Sequence, residues 1–169
     1  MLELLILYVL NKQEQTLYGL RKTIAKHFGE ISIPSHGALH PCIKKLEDKD
    51  LISVRKKLSD GGKKYTYYSI KSSFPEYFNN KFMEFNNADS ETLDAFLFWL
   101  KVHLYTIDIV NQSNIEEFKE KVIYKLDNFK TKAEEKLNNE YIELTKVQKK
   151  VITIQLKEIY DFKDIINDL

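Results

Sequence analysis

The sequence predicts a mainly α-helical fold with one small β-hairpin, in which a mixed first half is followed by an all-helical second half. Three observations predict it. Three apolar-periodic segments precede residue 50, one tyrosine-rich hairpin pattern occupies residues 51–70, and no glycine occurs beyond Gly62 of the 169 residues.

Leu2, Leu4, Leu5, Ile6, Leu7 and Val9 form a short apolar segment that Asn11 to Gln15 interrupt. Leu17, Leu20, Ile24 and Phe28 then step by three or four, the repeat of one helix face. A third helix follows in Ser35 to Glu47. There Leu39, Ile43 and Leu46 turn one face inward and leave His36, His40, Lys44 and Lys45 elsewhere. Ser35 and Gly37 give that helix a small, hydroxyl-bearing N-terminus, which a phosphate can approach closely. Pro41 leaves two forms open: a regular helix from about His40 after a tight turn, or a kinked helix from Ser35.

Leu51 to Leu58 and Lys63 to Ile70 read as two strands joined by Ser59-Asp60-Gly61-Gly62. Side chains alternate along a strand, so Tyr65 and Tyr67 share one face, while Tyr68 with Ile70 takes the face that packs on the helices. Three helices and then a hairpin make a winged helix–turn–helix. In that arrangement the third helix enters the major groove of DNA and the hairpin touches neighbouring phosphates.

Charge supports this division. Residues 1–80 hold 13 Lys and Arg against 8 Asp and Glu, whereas residues 81–169 hold 13 against 17. Within the basic half, Lys44, Lys45, Arg55, Lys56, Lys57, Lys63 and Lys64 fall on the third helix and the hairpin, where phosphate contacts would make binding salt-dependent. The plainer reading is that the hairpin lysines keep an exposed sheet edge soluble.

Residues Ser35, Gly37, Leu39, Pro41, Lys44, Leu46 and Glu47, then Leu51 and Ile52, then Tyr67 and Tyr68, with Tyr18-Gly19 ahead of them, carry a resemblance. Over residues 1 to about 80 the chain resembles the N-terminal domain of PadR-type transcriptional regulators. It departs from that pattern at His36, Ala38, His40 and Asp50, where the family has Pro, Thr, Tyr and Gly, and the changes on the reading helix bear on which operator is read. The resemblance implies a homodimeric DNA-binding repressor on an inverted-repeat site. The residues expected to meet DNA are Tyr18, Ser35, His36, Gly37, His40, Lys44 and Lys45, with Lys56, Lys57, Lys63, Lys64 and Tyr65 on the wing.

A break at Lys71-Ser72-Ser73 and Pro75 divides a DNA-binding domain, residues 1–73, from a helical dimerisation domain, residues 74–169. Tyr77, Phe78, Phe82 and Phe85 give one apolar stripe, and Leu93 to Ile109 a broader one, with a turn expected at Asn111 to Asn114. Ile115, Phe118, Val122, Leu126, Phe129, Ala133 and Leu137 mark a long amphipathic helix. Leu144, Val147, Val151, Ile154 and Ile159 begin another. A stripe that narrow, flanked by charge, has to pair with the next helix, with a second chain, or with both. PadR regulators of the longer type resemble this half in length and helix order, which implies a homodimer mainly through residues 90–169, with the first helix as a candidate addition.

Phe96, Trp99 and His103 fall on one helix face and could wall a pocket for a small-molecule effector, although the same spacing describes ordinary dimer core. No enzymatic motif, phosphate-binding loop or dinucleotide fingerprint is present, so no catalytic activity and no cofactor are expected. His36 and His40 lie four apart but lack the further ligands of a metal site. Cys42, beside Lys44 and Lys45, reads as a small core residue or a redox-sensing thiol. The apolar start holds Glu3 and lacks a basic lead, and Lys101, His103 and Asp108 interrupt Ala95 to Val110. A cytoplasmic chain without membrane contact is therefore expected. The competing functional class is a winged-helix interaction module or antagonist that binds another regulator through its long helices; Ala38 and His40 are the residues that favour it.

Overall fold

The computed structural model describes residues 1–29, 34–58, 61–84, 91–139, 141 and 143–169. Phe85 of the expected aromatic stripe, and Ser59 and Asp60 of the hairpin connection, lie outside the described residues. Elements run α1 (Leu2–Lys12), β1 (Gln15–Thr16), α2 (Leu17–Phe28), α3 (His36–Asp48), β2 (Ile52–Leu58), β3 (Lys64–Ile70), α4 (Phe74–Met83), α5 (Leu93–Thr106), a 3-10 turn (Ile107–Ile109), α6 (Gln112–Asn138) and α7 (Lys146–Asn167). No helix among the described residues is long and apolar enough to cross a membrane. The chain divides into two compact units: Met1–Phe85 with Phe98–Asn111, and Asn86–Leu97 with Gln112–Leu169.

The first unit is a mainly α winged helix–turn–helix built around α1. Leu4, Leu5, Ile6, Leu7, Val9 and Leu10 are all buried, because α1 packs on α2, α3, α4 and β3 and so is covered on most sides. Burial of each such side chain is worth about 1.5–3 kcal/mol. The sheet is antiparallel in the order β1-β3-β2, with Val54 opposite Tyr68, Lys56 opposite Thr66 and Leu58 opposite Lys64. The third strand, β1, falls in the stretch the sequence presents only as a break. Its two residues pair with Tyr67 and Tyr68, and Thr16 then caps α2 by accepting the Gly19 N–H at 3.1 Å.

Ser35 caps α3, its Oγ accepting the Ala38 N–H at 3.1 Å, so the helix starts at His36 and carries Pro41 inside it. At the other end Asp50 N–H donates to Glu47 O at 2.9 Å and Leu51 N–H to Leu46 O at 3.0 Å. This is a Schellman stop. Asp50 takes φ +59, which explains why a glycine suits this step. Helix α4 places Pro75 in its first turn and buries Phe74, Phe78, Asn79 and Phe82.

In the second unit, Phe118, Val122 and Leu126 of α6 and Ile152, Ile159 and Ile166 of α7 are buried. Lys163 pairs with Asp127 at 2.7 Å, and Lys130 lies 5.2 Å from the Tyr160 ring centre, as antiparallel neighbours require. Two expectations are corrected here. The turn before α6 runs from Ile107 to Asn111, so only the first residue of the expected Asn111 to Asn114 lies in it, and α6 already begins at Gln112. The packed face of α7 follows Ile152, Ile159 and Ile166, whereas Val147, Val151 and Ile154 are 72%, 49% and 52% exposed. Helix α7 carries apolar residues on two faces, and periodicity alone does not say which one meets α6.

Candidate nucleic-acid interface

On α3, Leu39, Ile43 and Leu46 are buried while Ser35, His36, Gly37, Ala38 and His40 at its N-terminal end, and Lys44 further along, are exposed. The first N–H groups of a helix have no acceptor within it and carry the positive end of the dipole, which suits them to phosphate. A Cβ built on Gly37 would meet only Ser35 Oγ, at 3.8 Å; the fold itself therefore does not require glycine at this position. Lys44 stands 3.7 Å from Asp48 with its side chain 77% exposed, a pairing weak enough for a phosphate to replace. Tyr18, 66% exposed, lies in the first turn of α2, and Arg21 of the same helix donates Nε–H to Pro34 O at 3.2 Å, tying α2 to the approach to α3.

Lys45 points elsewhere. Its ammonium binds the Glu3 carboxylate of α1, which also accepts the Tyr77 hydroxyl of α4; Lys49 in turn donates to that hydroxyl at 2.9 Å. Burial alone would raise the Glu3 carboxyl, but the hydrogen bonds from Lys45 and Tyr77 and the positive charge of Lys45 and Lys81 outweigh it. The pKa lies below the ordinary 4.5. Cys42 beside this network is half-buried, and burial pushes its thiol up to about 11, so it stays protonated and unreactive at neutral pH.

The wing has two unlike faces. Glu14 holds Arg55 at 2.6 Å and Lys57 at 3.5 Å, and Lys57 lies 5.2 Å from the Tyr67 ring centre. Lys63 lies 5.5 Å from the Tyr65 ring centre on that side. Tyr68, on the other face, is buried against the helices. The same face carries Lys56 and Lys64, both exposed and without an ion-pair partner among the described residues. Gly62 takes φ +74 at the turn.

Phe96, Trp99 and His103 are 0%, 3% and 1% exposed. Phe96 packs on Phe129 at 5.6 Å in the second unit; His103 packs on Phe82 at 4.7 Å in the first and stacks on Trp99. Its Nδ1 faces Trp99 O at 2.8 Å and its Nε2 faces Phe82 O at 3.1 Å, and burial pushes its pKa down to about 4. A separate hollow of about 300 Å³ is lined by Tyr8, Lys12, Thr23, His27, Phe28 and Tyr105, among others. No cluster of three or more His, Cys, Asp or Glu side chains suited to a metal ion occurs among the described residues.

Sequence reasoning missed Arg21, Glu14 and the partners of Lys45. Glu3, a lone carboxylate within an apolar helix, was the visible sign of the last.

Residues 6–73 match the model of the transcriptional regulator PadR-like family. No curated protein gives a significant match. Among solved structures the chain is similar to Bacillus subtilis PadR in complex with operator DNA, at 19% identity and TM-score 0.49, covering 99% of this chain and 97% of that one. It is also similar to smu.1604c from Streptococcus mutans UA159, at 20% identity and TM-score 0.46, with 98% and 96% covered. The PadR-like regulator BC4206 from Bacillus cereus strain ATCC 14579 is 29% identical at TM-score 0.41, with 47% of this chain and 75% of that one covered. The match to the PadR-like family of transcriptional regulators thus falls on the winged-helix residues 6–73.

Proposed function

We infer that the chain is a homodimeric repressor whose residues 1–73 read an inverted-repeat operator and whose residues 74–169 join the two copies. One observation carries the DNA-facing part. The exposed N-terminal end of α3, with Ser35, His36, Gly37 and His40, and Lys44 further along the helix belong to the same unit as the wing cations Lys56 and Lys64, which have no ion-pair partner among the described residues. Helix α3 in the major groove gives base contacts, with Tyr18 and the wing lysines on phosphates. Lys45, Lys57, Lys63 and Tyr65 support that surface from behind or beside it, given the partners they already have.

The second copy is supported by α7. Val147, Val151, Ile154 and Ile165 are exposed on it, its first half carries Lys146, Lys149 and Lys150, and its second half carries Glu158, Asp161 and Asp164 against Lys157 and Lys163, with Asp168 at the C-cap. Two such helices laid antiparallel about a two-fold axis bring opposite charges together along an apolar seam. Release by a small effector belongs to the same reading; Trp99 and His103 of the first unit would take one only by opening, since both are closed to solvent.

Footprinting on the DNA upstream of the chain's own gene, with sedimentation of the free protein, tests the reading. Two protected half-sites about one helical turn apart and a dimeric mass are expected. A monomer, or a dimer that protects no segment while a partner regulator is captured, favours the interaction module instead.

A further inference from the structure

The two faces of the wing differ in what their cations still lack. On one face Glu14 already holds Arg55 and Lys57. On the other, Leu58 stands directly opposite Lys64 with Lys56 two residues along the same strand, and neither lysine has an ion-pair partner among the described residues. Leu58 is 67% exposed. An exposed leucine at the outer end of a hairpin adds nothing to the core, and an edge needing only solubility is better served by a charge. At its inner end this face packs Ile52 and Tyr68 into the unit that also holds α3.

A pair of cations flanking one apolar tip matches the minor groove. That groove is about 6 Å wide, bounded by phosphates of both strands and walled by apolar deoxyribose edges, whereas the wider major groove is the place for α3. We propose that Leu58 is a minor-groove contact, inserted between phosphate contacts made by Lys56 and Lys64, and that through it the wing selects easily deformed pyrimidine–purine steps at the outer end of each half-site. The inference rests on the DNA-binding reading above and adds a residue that reads sequence through duplex deformability.

The test is selection of duplexes from a randomised pool by the full chain, in parallel with Leu58→Ser and Leu58→Met. Leu58→Ser should melt like the parent, because its side chain is solvent-exposed. The parent and Leu58→Met should enrich a central motif plus a pyrimidine–purine step outside it. Leu58→Ser should keep the central motif, lose the outer step and bind the parent's best duplex about tenfold more weakly. Equal outer enrichment and equal affinity with Leu58→Ser overturn the role of Leu58 alone. If the parent enriches no duplex over a heparin competitor, the DNA-binding reading fails first and the role of Leu58 fails with it.

Discussion

The Lys45 ammonium on α3 is bound to the Glu3 carboxylate on α1, so a cation that sequence position assigns to DNA is turned toward the body of the domain. The same carboxylate accepts the Tyr77 hydroxyl, and one acidic group thereby joins three helices behind the reading surface. Replacing Glu3 with Gln should cost roughly 1–2 kcal/mol, measured by urea unfolding at pH 7, because Lys45 and Tyr77 lose a charged acceptor. The Glu3 pKa is lowered in the fold, so its contribution is fully present above 4.5 and is lost as pH falls below that value. The gap between parent and Glu3→Gln should accordingly close in acid. Lys45→Gln should weaken duplex binding less than Lys44→Gln, and the reverse order would place Lys45 on DNA after all.

Gly37 separates a folding role from a binding role. Nothing but Ser35 Oγ, at 3.8 Å, stands near a Cβ built there, so Gly37→Ala should leave stability unchanged or raise it by up to about 1 kcal/mol. The added methyl projects from the face assigned to DNA. Binding should weaken while the melting temperature holds or rises. A variant that binds as well as the parent would remove Gly37 from the interface.

His103 is held neutral. Its folded pKa of about 4 lies below the ordinary 6.5, so the unfolded chain takes up a proton first as pH falls. Stability from this group is complete above pH 6.5 and declines between 6.5 and about 4, by on the order of 3 kcal/mol in all. Thermal melts across that range should show the decline in the parent and a flatter profile in His103→Gln. Matching profiles would mean that the ring titrates alike in the folded and unfolded chain and that burial does not hold it neutral.

Asp50 occupies a left-handed position that a glycine fills without strain. Among the described residues its side chain is tied only by an exposed pair with Lys71, worth little. Asp50→Gly should therefore raise the stability of the first unit by up to about 1 kcal/mol, read as a higher melting temperature. A lower one would show that the Lys71 pair outweighs the strain.

The element order was legible because each signal was local. Leu39, Ile43 and Leu46 repeat at helical spacing, Tyr68 alternates with Tyr67, and Pro75 marks the first turn of α4. What was not legible depends on contacts across the chain. Two residues, Gln15 and Thr16, form a strand only because Tyr67 and Tyr68 lie beside them, and Glu14 pairs with both Arg55 and Lys57 from 41 and 43 positions away. Lys45 and Lys57 therefore look the same as Lys44 and Lys56 in sequence and differ from them in the fold. On α7, Ile152, Ile159 and Ile166 repeat every seven residues beside the Val147, Val151 and Ile154 face; the position of α6 chooses between them.

The account's central claim is that α3 and one face of the wing meet duplex DNA as a single surface, and salt-titrated binding to the upstream duplex tests it most directly. Lys44→Glu with Lys64→Glu should weaken binding and lower the slope of log affinity against log salt by about 2. An unchanged affinity and slope in a double variant that melts like the parent would contradict it.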